Sequence, residues 1–407
     1  MKNIFTLLII LVGFSAMAQD PIIKKTTTDN DLKLSALPYY NYGKGVGLTS
    51  PDSIFQFNIR FRMQNRATYI QNEDEDGAIS AEIRRLRLRF DGYVGNPKFI
   101  YAIQLSFAPG DVGPAQDGEN INIIRDAIVF YRPNKHWSFG FGQTKLPGNR
   151  QRVNSSGGLE LTDRSINNAR FTIDRDFGFQ VHNQREEMDK FSYAARGAIT
   201  TGEGRNSTDK PDNGLAYTGK LELYPLGAFT KDGAFFEGDI KREPKPKFMV
   251  SGAYQYNDLA RRTGGQLGLD LFEKRDMQTL LLDGMFKYNG WAFMTAYMQR
   301  MANDPITVNP DDATDTRFIY TGHGYDYELS YVFPSHYQII GRFSTQKAHK
   351  DIAAIAPDAN QYTLGLTKYV WEHAFKAQLE FTYDELNYFD NSSKHNFYVR
   401  FQVEIGI

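Results

Sequence analysis

The sequence predicts an all-β protein, a transmembrane antiparallel β-barrel of about 16 strands. Polar and apolar residues alternate with a period of two over segments of about ten residues, the pattern of strands with one apolar and one polar face. Short turns and long polar loops alternate between these segments, as they do at the two ends of a barrel. No stretch after the N-terminal leader is apolar over about 18 residues, so spanning helices are not predicted.

The N-terminus "MKNIFTLLIILVGFSAMAQD" has the composition of a secretory signal. Lys2 supplies the basic start, an apolar stretch runs from Ile4 to Phe14, and small residues stand at Ala16 and Ala18. This stretch is short for the alternative, a single membrane anchor. The predicted domains are a signal peptide over 1–18, an N-terminal periplasmic arm over 19–52 and a transmembrane β-barrel over 53–407.

Composition narrows the function classes. The 407 residues carry a formal net charge of −1 and no Cys. A nucleic-acid partner is therefore not predicted, and thiolate catalysis and Cys-ligated metals are excluded. The seven His lack metal-ligand spacing, and the acidic stretch 72–77 lacks a complete calcium loop. We predict no cofactor and no metal.

The first two strands place cations on one face. In "IFQFNIRFRM" the polar positions include Arg60 and Arg62, and in "RRLRLRF" Arg85, Arg87 and Arg89 alternate with apolar residues. Facing lipid at mid-depth, each Arg would cost roughly 2–4 kcal/mol. These five side chains are therefore predicted to line a water-filled lumen.

The same alternation continues through "FIYAIQLSF" and "HWSFGFGQT" to the last segment, "FYVRFQVEIGI". A soluble sandwich is the alternative fold, but its strands are shorter and less regular. The predicted strands are 53–70, 81–94, 98–108, 121–132, 136–145, 176–185, 190–201, 214–224, 247–257, 276–289, 291–301, 322–333, 335–347, 360–371, 374–386 and 395–407.

Two connections stand out by length. Residues 225–247 form a long connection where a short turn is due. Residues 146–175 follow the fifth strand and form the third long loop. This loop is basic, and Lys145 directly precedes it. Its arginines are Arg150, Arg152, Arg164, Arg170 and Arg175, against Glu160, Asp163 and Asp174.

Together, the loop arginines and the lumen arginines predict an anion preference, because fixed guanidinium groups raise the local anion concentration and bind oxyanions through two hydrogen bonds. The alternative is that they pair with carboxylates and that opposed walls give only weak selectivity. Seven carboxylates are predicted to face the lumen: Glu222, Asp283, Asp326, Glu328, Glu380, Asp384 and Glu404.

The segments "RRLRLRFDGYVGNPKFIYAIQL" and "FGFGQTKLPGNRQRVNSSGGLELTDRS" resemble the phosphate-selective porin O and P family, in the form found in Bacteroidota-type bacteria. The resemblance runs from about residue 43 to the C-terminus. It implies a 16-stranded channel of the bacterial outer membrane, usually a homotrimer, whose third extracellular loop folds inward to form a basic eyelet. Lipid and lipopolysaccharide would surround it, and small anions such as phosphate would pass.

By the same resemblance, Lys145, Arg150 and Arg152 would belong to the eyelet, and Ser155 and Ser156 would donate hydrogen bonds to oxyanions. Arg164 is added to this set because it lies in the same basic loop. Three other functions stay open: a weakly selective porin, a structural or adhesin barrel, and a barrel enzyme. An enzyme is not expected, since the sequence shows no serine at fixed spacing from a histidine.

Overall fold

A computed structural model describes residues 39–41, 45–112, 123–206 and 213–407. The predicted signal peptide and most of the predicted arm lie outside these residues. Among the described residues, no helix is long and apolar enough to cross a membrane.

Strands make up most of the described chain, and the helices between them are short. The strands are β1 (Tyr39–Asn41), β2 (Gly45–Thr49), β3 (Phe55–Gln71), β4 (Ala78–Val94), β5 (Phe99–Ser106), β6 (Ile124–Tyr131), β7 (Trp137–Lys145), β8 (Arg175–Arg185), β9 (Ser192–Thr200), β10 (Ala216–Tyr224), β11 (Lys247–Arg262), β12 (Asp270–Tyr288), β13 (Trp291–Ala302), β14 (Ile306–Asn309), β15 (Asp312–Phe318), β16 (Gly322–Val332), β17 (Tyr337–Ala348), β18 (Asp358–Trp371), β19 (Phe375–Asn387) and β20 (Ser393–Gly406). The α-helices are Pro109–Val112, Arg150–Val153 and Ile166–Phe171, and the 3₁₀ helices are Ser156–Gly158 and Thr230–Phe235.

Sixteen strands, β3–β13 and β16–β20, form a closed antiparallel barrel. Each pairs with the next in the chain, and β20 closes the ring on β3, with Phe397 opposite Gln71. The predicted fold class is confirmed, and every predicted strand corresponds to a barrel strand. The sequence pattern missed two features at the long-loop end of the barrel. Strands β11 and β12 run several residues beyond their predicted ends, and β14 and β15 form a hairpin within the loop that follows β13.

The alternating faces lie as predicted, with apolar side chains outside and polar side chains inside. Phe57, Phe141, Phe179, Leu329 and Phe381 are 37–64% exposed on the outer face. Inward positions on the same strands hold buried polar residues, such as the glutamines and glutamates of β8, β16 and β19. A bilayer would cover this outer apolar belt.

Strand β2 falls in the region predicted as an arm, but it extends the sheet. Val46 lies opposite Ile59 in an antiparallel ladder with β3. The pairing of β20 with β3 ends at Arg62, so the first residues of β3 lack a partner on that side. Since unpaired backbone groups are costly in a membrane, β2 fills a position that closure leaves open.

The hydrophobic core is inside the barrel and ties two connections to the wall. Phe171 and Ile173 of the third long loop pack with Leu281 and Met298 of the wall. A second cluster joins Phe229, in the connection after β10, to wall methionines. We call residues 146–174 the inward loop. We call residues 225–246 the short-turn segment, because they lie where the barrel topology calls for a short turn.

Candidate functional site

The inward loop crosses the lumen and is bound by carboxylates of the far wall, on strands β10, β12, β16 and β19. We call these carboxylates the acidic wall. Its hydrogen bonds and ion pairs connect Glu222 with Arg150, Asp283 with the Arg150 amide (2.8 Å), Asp326 with Ser165 (2.6 Å), Glu328 with Gln151 (2.9 Å) and Glu380 with Thr162 (2.8 Å). The inward loop therefore binds five of the seven carboxylates predicted to face an open lumen. The other two, Asp384 and Glu404, accept hydrogen bonds from wall residues instead, from Gln361 (2.8 Å) and Gln64 (2.7 Å).

One glycine shows how closely the loop approaches the wall. Asn167 donates hydrogen bonds to the carbonyls of Tyr325 and Thr345, at 3.0 and 3.1 Å. A Cβ at Gly324 would lie 1.9 Å from the Asn167 side-chain oxygen. Only glycine leaves room there, so β16 is shaped to receive the loop.

The short-turn segment enters the barrel from the opposite end and supports the inward loop. The Glu237 amide donates to the Gly158 carbonyl (2.8 Å), and the Glu160 amide donates to a Glu237 carboxylate oxygen (2.9 Å). Lys287 of β12 donates to two carbonyls of the segment, at 2.7 Å each. The sequence shows the unusual length of this connection but does not predict its inward course.

A basic cavity of about 390 Å³ remains on the other side of the lumen. We call it the basic cavity. Ten basic residues and three acidic residues line it, which is a formal excess of seven positive charges. The basic residues are Arg84, Arg85, Arg87, Arg89, Arg125, Lys145, Arg152, Arg164, Arg175 and Arg205, and the acidic residues are Asp111, Asp126 and Asp174.

Two β-bulges place arginines in the basic cavity that strict alternation would turn outward. In β4 the pairing with β3 skips Arg84, so Arg84 and Arg85 both reach the lumen. In β6 the pairing with β5 skips Arg125, so Arg125 and Asp126 both line the cavity. An extra residue in one strand changes which face its neighbours occupy. Alternation alone therefore does not predict that Arg84 and Arg125 face the lumen, and the arginine doublet at 84–85 is the available sequence signal.

Most of these arginines form ion pairs at the edge of the cavity. Arg87 binds Asp111 at 2.7 Å, and Arg175 binds Asp126 at 2.9 Å. The Nε of Arg152 donates to Asp174 at 2.9 Å. Arg84 and Arg85 both bind Asp163 of the inward loop, at 3.1 Å. These pairs hold the guanidinium groups in fixed positions around the cavity.

Three cations of the cavity have no carboxylate partner within the described residues: Lys145, Arg164 and Arg205. Lys145 Nζ donates to the Val153 and Asn154 carbonyls, both at 2.9 Å. Arg164 Nη2 donates to the same Asn154 carbonyl at 3.0 Å. Arg205 Nη2 donates to the Asp111 carbonyl at 3.2 Å. Neutral acceptors therefore orient these three cations, and none of them forms an ion pair among the described residues.

Two predicted serines lie at the edge of the basic cavity, in contact with arginines. Ser155 Oγ accepts a hydrogen bond from Arg62 at 2.9 Å. Ser156 Oγ accepts from Arg62 at 2.6 Å and from Arg87 at 3.1 Å. Both residues line the cavity, and each hydroxyl keeps its own proton to donate.

Eight of the eleven predicted site residues line the basic cavity, and three do not. Arg150 is fully buried against Glu222 and Tyr224 on the far wall, so it fixes the loop. Arg60 binds Asp91 at 2.6 Å, and Arg62 binds the two serines from behind. The eight are Arg85, Arg87, Arg89, Lys145, Arg152, Ser155, Ser156 and Arg164.

A group of three buried carboxylates lies where the inward loop, the short-turn segment and β16 meet. Oxygens of Glu160, Glu237 and Glu328 lie within 4.8 Å of one another. Burial and the neighbouring Glu237 raise the pKa of Glu160 to about 8. This group could hold a cation or share protons, and no local pattern in the sequence predicts it.

The charge of the basic cavity should be insensitive to moderate acid. Burial opposes ionisation of Asp111, Asp163 and Asp174, but neighbouring arginines hold the pKa of each carboxyl below its usual range. A depressed pKa in the folded state means that these ion pairs stabilise the cavity above about pH 4 and lose this effect only below it. We expect the reversal potential in a salt gradient to stay constant from about pH 7 to 4.5. A steady drift across that range would show that the carboxylates titrate normally.

Comparison with known proteins agrees with this architecture. Residues 57–231 match the family model described as phosphate-selective porin O and P. That stretch includes the inward loop and all but one of the residues that line the basic cavity. A search of curated proteins finds no match.

Two solved structures with a similar fold are outer-membrane proteins. The outer membrane channel DcaP of Acinetobacter baumannii is 13% identical, with a TM-score of 0.54 over 89% of this chain and 99% of that chain. OmpF of Salmonella typhi, solved in complex with daunomycin, is 13% identical, with a TM-score of 0.54 over 88% of this chain and 100% of that chain. The fold and the family match together support the predicted location in the bacterial outer membrane.

Proposed function

We propose that this chain is an outer-membrane porin through which small anions such as phosphate diffuse passively. The proposal rests on the difference in exposure between the acidic and the basic wall of the lumen. The inward loop covers the acidic wall, whereas the basic cavity keeps seven more positive than negative residues. Anions entering the lumen would therefore meet a positive surface.

Most of the electrostatic attraction would come from Lys145, Arg164 and Arg205, because these cations lack carboxylate partners within the described residues. The arginines paired with aspartates would contribute less, since their fields are largely cancelled at short range. Ser155 and Ser156 would add neutral donors, which replace part of the hydration shell of an oxyanion. Arg side chains do not titrate away at neutral pH, so the attraction would persist.

A weakly selective porin is the second candidate. It requires opposed acidic and basic walls in the same open lumen, and the covered acidic wall argues against it. The family match and the fold favour a channel over an outer-membrane enzyme. We also propose cleavage of the leader after Ala18 and assembly as a homotrimer in lipid and lipopolysaccharide, with part of the apolar belt between subunits.

Phosphate block of the chloride current in planar bilayers tests the proposal. In the native protein, phosphate should reduce chloride conductance at millimolar concentration, because a dianion binds the cavity more strongly than chloride. Arg164→Gln should weaken the block by about tenfold, as expected for losing one charge-assisted contact. Arg164→Lys is the matched control and should retain most of it. Equal block in all three proteins would remove Arg164 from the mechanism.

A further inference from the structure

A second cavity, of about 340 Å³, lies at the long-loop end of the barrel. It is bounded by the connection between β11 and β12, by β15, and by the end of the helix Ile166–Phe171. Leu267 lines this cavity and also the basic cavity, so the two adjoin. We call it the vestibule cavity.

Three arginines line the vestibule cavity, and no acidic residue is among its described lining residues. Arg300 is only 2% exposed and donates to the carbonyls of Arg170 (2.7 Å) and Thr172 (3.1 Å). Arg317 donates to the Asp270 carbonyl at 2.6 Å. In the part of the chain that the structure describes, no carboxylate lies within ion-pair distance of these arginines. Of the three, only Arg300 is buried, whereas Arg317 is half-buried and Arg170 is exposed. A buried cation without a counter-charge is costly, so an anion held by Arg170 and Arg317 beside Arg300 would offset part of that cost.

The remaining walls are largely apolar. Leu267, Leu269, Phe318 and Tyr320 share the cavity with the arginines. The Arg170 guanidinium lies 5.1 Å from the centre of the Tyr320 ring. An inorganic anion would satisfy the charges but leave these apolar surfaces in water. An anion with an apolar body would cover both, and the volume suits a small organic molecule.

We propose that the vestibule cavity binds small organic carboxylates that carry an aromatic or aliphatic body, and delivers them to the basic cavity. Arg170 and Arg317 would hold the carboxylate, and Leu267 and Tyr320 would contact the body. This inference rests on the proposed anion channel and names a class of solute for it. It adds a site outside the constriction, at the entrance from the long-loop end.

Calorimetric titration of the detergent-solubilised, folded protein with benzoate and with acetate tests the site. Both probes carry one carboxylate, but only benzoate has an aromatic body. Benzoate should bind about tenfold more tightly than acetate in the native protein. The double variant Arg170→Gln, Arg317→Gln should weaken benzoate binding at least about fivefold. Arg185→Gln, at an exposed turn position paired with Glu187, is the matched control and should bind benzoate normally.

The same double variant separates this inference from the proposed function, because Arg170 and Arg317 do not line the basic cavity. Its phosphate block in bilayers should equal that of the native protein. Equal affinity for benzoate and acetate, or unchanged benzoate binding in the folded double variant, would overturn the vestibule site while phosphate block persists. A native channel without a preference for anions over cations would instead overturn the proposed function.

Discussion

Replacing Lys145, Arg164 and Arg205 together with glutamine should lower the chloride-over-potassium permeability ratio by roughly tenfold. These residues carry the charges of the basic cavity that lack carboxylate partners among the described residues, so removing them leaves mostly paired arginines. Glutamine keeps an amide donor for the carbonyls that Lys145 and Arg164 now bind, which limits movement of the inward loop. The measurement is the reversal potential across a planar bilayer in a potassium chloride gradient.

A charge-preserving triple variant is the control. Lys145→Arg, Arg164→Lys and Arg205→Lys should keep the native reversal potential, because the field depends on charge more than on group shape. Conductance should change little in either variant if the loop stays in place. A glutamine variant that remains as anion-selective as the native protein would shift the mechanism to the paired arginines.

Removing Glu222 should have the largest effect on the position of the inward loop. Its carboxylate is fully buried and binds three cations, Arg150, Lys220 and Arg196. Glu222→Ala would leave Arg150 and Lys220 buried without this partner, which costs roughly 3–5 kcal/mol. We expect a lower denaturation midpoint in detergent and a larger, noisier single-channel conductance, because the loop is released from the far wall.

Glu187→Gln is the comparison for this variant, since Glu187 pairs with exposed residues of a turn. An exposed ion pair is screened by solvent and contributes little to stability, so the denaturation midpoint and conductance of this variant should match the native protein. Glu222→Gln should fall between the two, since it keeps an acceptor but loses the charge. Native conductance in Glu222→Ala would mean that the loop is held by its other contacts.

The barrel could be predicted because the alternation of polar and apolar residues that defines its strands is local in the sequence. A period of two, read along one segment, decides which side chains meet the bilayer and which meet water. The orientation of Arg85, Arg87 and Arg89 follows from that rule alone. Arg84 does not, because a bulge depends on the partner strand as well as on the strand that carries it.

The site was harder to predict because its contacts are long-range. Arg150 looks like any loop arginine until Glu222, on β10, is placed opposite it. The same holds for five of the seven predicted lumen carboxylates, because alternation predicts their inward direction but not their partners in the inward loop. The course of residues 225–246 depends on contacts with Gly158 and Lys287 that no local pattern encodes. Alternation therefore predicts the charges of both walls but not that the inward loop covers one of them.

The sign of the reversal potential of the native channel tests the central claim most directly. Purified protein would be placed in a planar bilayer with a potassium chloride gradient at neutral pH. The basic cavity predicts a reversal potential close to the equilibrium potential of chloride. That result would mean that the excess of positive lining residues favours the passage of anions over cations. A potential near zero, or one close to that of potassium, would contradict the account, because it would mean that the covered carboxylates still govern the pore.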